Sequence, residues 1–258
     1  MATEQRRIGL ARALSKLGYC SRSRAAEFIL AGRVRLNGAL RRDPETPVHL
    51  QKDRIAVDGI LVEPGRKIYL MMNKPRGLVT TAADEKGRET IYSLLRREHA
   101  LPWVAPVGRL DKASEGLLLL TNDSEWAARV TAPETHLEKT YHVQLNCVAD
   151  PAVIEAMQRG VSTNGENLRA RQCRFIRSGE KNSWLEVVLD EGRNRQIRRM
   201  LATVGIAVLR LVRVAIGPLQ LGNLDKGGYR ALTLNEKLAL DHATTLNSRG
   251  RRPSGAEA

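Results

Sequence analysis

The chain has 258 residues, enough for one large domain or a small one joined to a larger one. Apolar residues make up 42%, and 42 Lys and Arg against 28 Asp and Glu leave a net charge of +14, the balance of a protein that meets a polyanion. No apolar run approaches the ~20 residues of a membrane-spanning helix, and MATEQRRIGLARAL at the N-terminus lacks the apolar centre and cleavage site of a signal peptide. A cytosolic, monomeric protein without membrane association is therefore expected. Cys20, Cys147 and Cys173 are odd in number and far apart, which argues against disulfides. The five histidines have no metal-ligand spacing, and neither GxGxxG nor GxxxxGK[ST] occurs. Neither a metal nor a nucleotide cofactor is expected, so any chemistry falls to side chains alone.

In chain order, residues 8–63 read as a small basic module. IGLARALSKLG spaces Ile8, Leu10, Ala11, Leu14 and Leu17 as a helix that Gly18 stops. Ser21 or Ser23 then caps a second helix, which ends at Gly32. VRLNGALRR and DRIAVDGILV follow as hairpins around Asn37-Gly38 and Asp58-Gly59. Met1 to Val62 carries twelve Lys and Arg against six Asp and Glu. The stretch SRSRAAEFILAGRVRLNG resembles the S4 RNA-binding domain. The resemblance implies two helices laid on structured RNA, with Arg22, Arg24 and Arg33 toward phosphates and Arg12 and Lys16 as weaker candidates. Phosphate contact at a helix end is also physically favoured.

VEPGRK, residues 62–67, reads as a linker. Residues 68–240 then mix strands and helices, an α+β domain with a largely antiparallel sheet. KIYLMMNKPRG is a strand into a loop, TIYSLLRRE a short helix, and VAPVGRLD a strand running into a loop. EGLLLLTND, with four leucines and no charge among them, reads as a buried strand, and SEWAARVTA as a helix capped by Ser124. KTYHVQLNCV alternates as a half-buried strand, and DPAVIEAMQRGV is a helix entered through Asp150-Pro151. RQCRFIRSGEKNSWLEVVLDEG gives two strands around Ser178-Gly179, RQIRRMLATVG an amphipathic helix, and VLRLVRVAIGPLQLGNL a further strand. Residues 246–258 are polar, basic and rich in Gly, Pro and Ser, the composition of a disordered tail.

Between Gly108 and the leucine run stands Asp111. Taken alone, it reads as the capping residue of a turn. However, GRLDKASEGLLLLTND, EKTYHV and DEGRNRQIRRM occur in this order, with MMNKPRG before them and RVAIGPL after. This set resembles the pseudouridine synthases of the small-ribosomal-subunit type, over about residues 8–234. The resemblance implies isomerisation of a uridine to pseudouridine in ribosomal RNA, free or in a pre-ribosomal particle; the basic tail and EGRNRQIRRM point to the large subunit, with the small subunit as the alternative. It places the essential carboxylate on Asp111, which attacks the ribose, attacks the uracil ring, or removes a ribose proton. Each route needs the carboxylate ionised beside a cation, and the resemblance puts that cation on Arg193. Arg109 holds the loop or a phosphate. Tyr141 stacks on the extracted base or moves a proton, with Lys139 and Thr140 positioning its strand. The helix RNRQIRRM presents Arg195, Arg198 and Arg199 together for RNA phosphates. With aromatic residues at only 4%, a sheet that stacks several bases is not expected. A glycosidase would need a second carboxylate, for which Glu115 is the nearest candidate. A non-catalytic assembly protein on the same folds would have no use for Asp111, Tyr141 and Arg193 together.

Overall fold

The computed structural model describes residues 7–82, 84, 86–95 and 101–249, with side chains as far as Thr245. The N-terminal module begins with a short strand, β1 (Ile8–Gly9), then α1 (Leu10–Lys16) and α2 (Arg22–Leu30). Gly18, at φ +78, lets the chain reverse after α1. Ser21 caps α2 by accepting from the Arg24 amide at 3.1 Å. The strands β2 (Val34–Leu36), β3 (Ala39–Arg41), β5 (Ile55–Val57) and β6 (Ile60–Leu61) form one antiparallel sheet in the order β3-β2-β5-β6, while β4 (Pro47–Val48) pairs with β1. Both expected hairpin turns carry two left-handed residues, Asn37-Gly38 and Asp58-Gly59. Leu10, Leu14, Ala25, Ile29, Val34 and Val48 form the module's own core.

The second domain is built on a nine-stranded sheet. Its main path runs β13 (Gln172–Ser178), β14 (Ser183–Leu189), β10 (Lys139–Leu145), β15 (Val208–Ile216), β9 (Glu115–Thr121), β7 (Tyr69–Lys74) and β17 (Tyr229–Ala231). β8 (Ala105–Val107) pairs with β9, and β16 (Leu219–Gln220) with β15. Every pairing is antiparallel except β9 with β15. That parallel seam joins the two halves of the sheet and needs Gly116. Its φ is +100, and a Cβ there would lie 2.2 Å from the Arg213 carbonyl oxygen. All seven residues of β9 are buried, as a four-leucine run with no charge requires.

Helices cover the sheet. α3 (Tyr92–Leu95) lies over Leu118 and Leu120; α4 (Ser124–Thr131) and α7 (Leu234–Arg249) lie over Leu117 and Leu119. α5 (Pro151–Arg159) and α6 (Gln196–Thr203) close the other half around Val143, Leu185, Val187 and Met200. The cap of α4 is Asp123 rather than Ser124: its carboxylate accepts from the Glu125 and Trp126 amides, and Ser124 is already helical. A hairpin not expected from the sequence, β11 (Val161–Thr163) and β12 (Glu166–Leu168), turns on Asn164-Gly165. Residues 246–249 belong to α7 rather than to a tail, and 250–258 lie outside the described residues.

Candidate active site

Asp111 leaves β8 through Gly108, at φ +74, and stands on the loop that leads into β9. The loop is pinned at five consecutive carbonyls. Leu110 O accepts from Thr80 Oγ1 at 2.8 Å, and Asp111 O from the Ser114 amide at 2.9 Å and from Lys74 Nζ at 3.2 Å. Lys112 O accepts from the Gly77 amide at 2.8 Å, Ala113 O from Arg198 Nη2 at 3.1 Å, and Ser114 O from Lys74 Nζ at 3.0 Å. A carbonyl fixed at each residue leaves the loop one conformation, so the Asp111 side chain starts from one place.

Lys74 is the centre of this arrangement. It is fully buried, and its third acceptor is Pro75 O at 3.0 Å. Burial pushes its ammonium down to about 8, although Asp111 and Glu115 pull the other way. Three carbonyl acceptors use all three of its N–H donors. The sequence signal for Lys74 is one charge at the end of a buried strand, two residues after the apolar run YLMM and directly before Pro75.

The guanidinium on Asp111 belongs to Arg195, whose Nη1 lies 3.4 Å from Oδ2. Arg193, expected in that place, turns to Glu191 at 3.0 Å and Glu166 at 3.5 Å while still lining the same cavity. The reason is local backbone. Arg195 holds φ +48 as the N-cap of α6, a left-handed conformation unusual for a non-glycine residue, and this aims its side chain at the loop.

Asp111, Tyr141, Arg193, Arg195 and Arg109 meet around a cavity of about 90 Å³, completed by Leu110, Ser114 and Ile197. Two larger cavities of about 430 and 480 Å³ adjoin it, and Arg109 lines all three. The Asp111 side chain is 35% exposed, open to a substrate and walled on its other sides. Glu115 is not a second reactive acid. It is buried and held by Arg210 at 3.0 Å and Lys226 at 2.9 Å. Burial raises its carboxyl, and these two cations more than reverse that, leaving it below the usual range.

The arginines expected to face RNA divide into groups. Arg22 is exposed at the start of α2. Arg24 pairs with Glu27 and Arg33 with Asp58, and both guanidinium groups lie over the Phe28 ring, at 4.6 and 4.4 Å. Arg198 is committed to Val208 O at 3.0 Å and Ala113 O, with burial pushing its guanidinium below its ordinary value, and Arg199 pairs with Glu166. Arg195 and Arg198 thus hold the Asp111 loop and Arg199 holds the β11–β12 hairpin, each by a different contact, rather than forming one open phosphate face. The modules touch through Lys16 and Glu125 at 2.8 Å. Among the described residues no cluster of His, Cys, Asp and Glu could hold a metal ion, and no helix is long and apolar enough to cross a membrane.

This arrangement has known counterparts. The family profile for RNA pseudouridylate synthases matches residues 68–203, and that for the S4 domain matches residues 8–55. An RNA pseudouridine synthase of Aquifex aeolicus is 38% identical over 235 residues, spanning 90% of this chain and 93% of its own. The ribosomal large subunit pseudouridine synthase B of Bacillus subtilis is 32% identical over 230 residues, 88% of this chain and 93% of its own. A crystal structure of a pseudouridylate synthase superposes with a TM-score of 0.63 at 30% identity, over 90% of this chain and 99% of that one. The chain accordingly belongs to the S4-domain-containing RNA pseudouridine synthases of the small-ribosomal-subunit type, enzymes that isomerise uridine within RNA.

Proposed function

We propose that the substrate is a uridine of ribosomal RNA, in the large subunit, and that Asp111 is the carboxylate that acts on it. The observation that carries this reading is the Asp111 carboxylate beside Arg195, on a loop fixed at five carbonyls, facing Tyr141 across a small cavity. Breaking the C–N glycosidic bond and forming the C–C bond at carbon 5 needs no redox step and no group donor. It needs an ionised carboxylate next to the sugar or the base. Attack on the ribose, attack on the ring and removal of a ribose proton all start from this state. The uridine has to leave its stack to enter, at a cost of a few kcal/mol, which contacts to the flanking RNA offset. Tyr141 then offers a ring face to the base and a hydroxyl for proton movement.

The choice of the large subunit is supported by the name of the Bacillus subtilis relative; a small-subunit site is the other reading. Pseudouridine mapping of ribosomal RNA from cells with and without the gene decides between them. One site lost from large-subunit RNA, restored by the wild-type gene and not by Asp111→Asn, is the expected result. A site lost from small-subunit RNA moves the assignment, and restoration by Asp111→Asn removes Asp111 from the chemistry. In vitro, Asp111→Asn is expected to abolish isomerisation while changing RNA affinity less than threefold.

A further inference from the structure

The cavity of about 480 Å³ beside the Asp111 cavity shares Arg109, Tyr141, Gly192 and Arg193 with it. Its distinguishing feature is a pair of cations on neighbouring strands. Lys139 and Tyr141 stand two residues apart on β10, and Tyr141 is opposite Arg213 on β15. Arg213 is only 5% exposed. Its Nε donates to Leu117 O at 2.7 Å, yet its Nη2 is buried without a hydrogen-bond partner among the described residues. Lys139 likewise has no ion pair or side-chain hydrogen bond among the described residues. The lining also contains Asp190 and Glu191, but Glu191 already holds Arg193 and Gln196. Val130 and Ile216 supply apolar wall.

Two cations side by side, one with a buried donor unsatisfied, are an unfavourable arrangement in an empty protein. An anion with several acceptor oxygens relieves it: the oxygens take the idle donors and the charge offsets both cations. We propose that Lys139 and Arg213 form a phosphate subsite that holds a backbone phosphate of the RNA next to the uridine entering the Asp111 cavity. This rests on the reading of that cavity as the uridine site. The two cavities meet at Tyr141 and Arg109, so a nucleotide in one places its phosphate within reach of the other. Lys139 is also held down to about 8, by burial first and by the Arg213 charge second, with Asp190 opposing, and a bound phosphate would push it back up.

The test uses the full chain and three small probes: uridine 5′-monophosphate, uridine and inorganic phosphate, with binding followed by NMR titration. The monophosphate is expected to bind at least tenfold tighter than uridine, and tighter than inorganic phosphate. Lys139→Gln removes the preference over uridine; Lys139→Arg keeps it. Equal binding of uridine and its monophosphate, or a full preference in Lys139→Gln, overturns the subsite. Inorganic phosphate binding as tightly as the monophosphate overturns its assignment to a nucleotide. If Lys139→Gln does not fold, ¹³C-methylated lysines in the unsubstituted chain decide. The Lys139 signal, identified by its loss in Lys139→Arg, should titrate near pH 8 and rise by about one unit with the monophosphate; no rise sinks the proposal. Isomerisation plays no part in these readings. Asp111→Asn should therefore retain the monophosphate preference, which keeps failure of the subsite distinct from failure of the Asp111 assignment.

Discussion

At the scale of single residues, the site turns on which arginine reaches Asp111. The sequence pattern pointed to Arg193, two positions from the residue that makes the contact. What separates them is the left-handed backbone of Arg195. Nothing in the side-chain pattern announces that conformation, because glycine, asparagine and aspartate are its usual carriers. Arg193 is meanwhile occupied by Glu191 and Glu166, an acid from a hairpin whose position relative to the loop is purely tertiary. The two arginines should therefore behave differently. Arg195→Gln is expected to lower kcat by about 10- to 100-fold, the worth of a charge-assisted contact to a reacting group, with KM for RNA changing less. Arg193→Gln should act more through KM. Single-turnover and steady-state rates on the same RNA check this, and a larger kcat loss for Arg193→Gln would return the central role to Arg193.

At the scale of elements, β9 is apolar because both its faces are covered, one under α3 and the other under α4 and α7. β9 is buried along its whole length, and β7 delivers Lys74 beneath the loop from the opposite side of Gly116. The leucine run anchors one end, while Thr80, Lys74 and Arg198 hold the carbonyls. Thr80→Val keeps the shape of the side chain and removes one of these bonds. It should cost about 1 kcal/mol of stability and roughly a tenfold loss of kcat if loop position governs the chemistry; a stability loss with kcat unchanged would show that the remaining bonds suffice. The β11–β12 hairpin and α7 both begin from signals readable in the sequence. Asn164-Gly165 has the same left-handed pair as Asn37-Gly38. The start of α7 is a capping box, in which the Glu236 amide donates to Thr233 Oγ1 at 3.2 Å and the Thr233 amide to Glu236 Oε2 at 2.8 Å.

At the scale of the whole molecule, the net charge of +14 overstates what is free to meet RNA. Arg24, Arg33 and Arg199 spend their charge on Glu27, Asp58 and Glu166, and Arg198 is committed to backbone. Exposed and internally paired arginines should differ in the salt dependence of RNA binding. Arg22→Gln is expected to reduce the slope of log affinity against log salt by about one, and Arg199→Gln to leave it nearly unchanged. Equal slopes for the two variants would mean that the N-terminal module does not grip phosphate. Two buried lysines also link stability to pH. Lys74 and Lys139 release their protons near pH 8 when folded, against an ordinary value of 10.5. Between those values the unfolded chain holds protons that the folded chain has lost, so these groups make stability rise with pH across that window. The penalty for burying them is full below pH 8 and is relieved above it. Denaturant unfolding of Lys139→Gln should show a shallower rise than the wild type from pH 8 upward; parallel curves would mean that Lys139 is not shifted.

The sequence by itself determined the two modules, the hairpin turns, the apolar strand behind the loop and the identity of Asp111 as the carboxylate to examine. The first three depend on local chemistry, glycine and asparagine at turns and period-two and helical apolar patterns; Asp111 depends on a resemblance carried by several motifs spread between residues 71 and 219. Only the tertiary structure decided that Arg195 meets Asp111, that Lys74 and Arg198 hold the loop, and that Lys139 and Arg213 face one cavity. Each of those pairings joins residues that are distant in sequence. Strand register, one parallel seam and a single left-handed arginine bring them together, and no local pattern of residues encodes the distance between them.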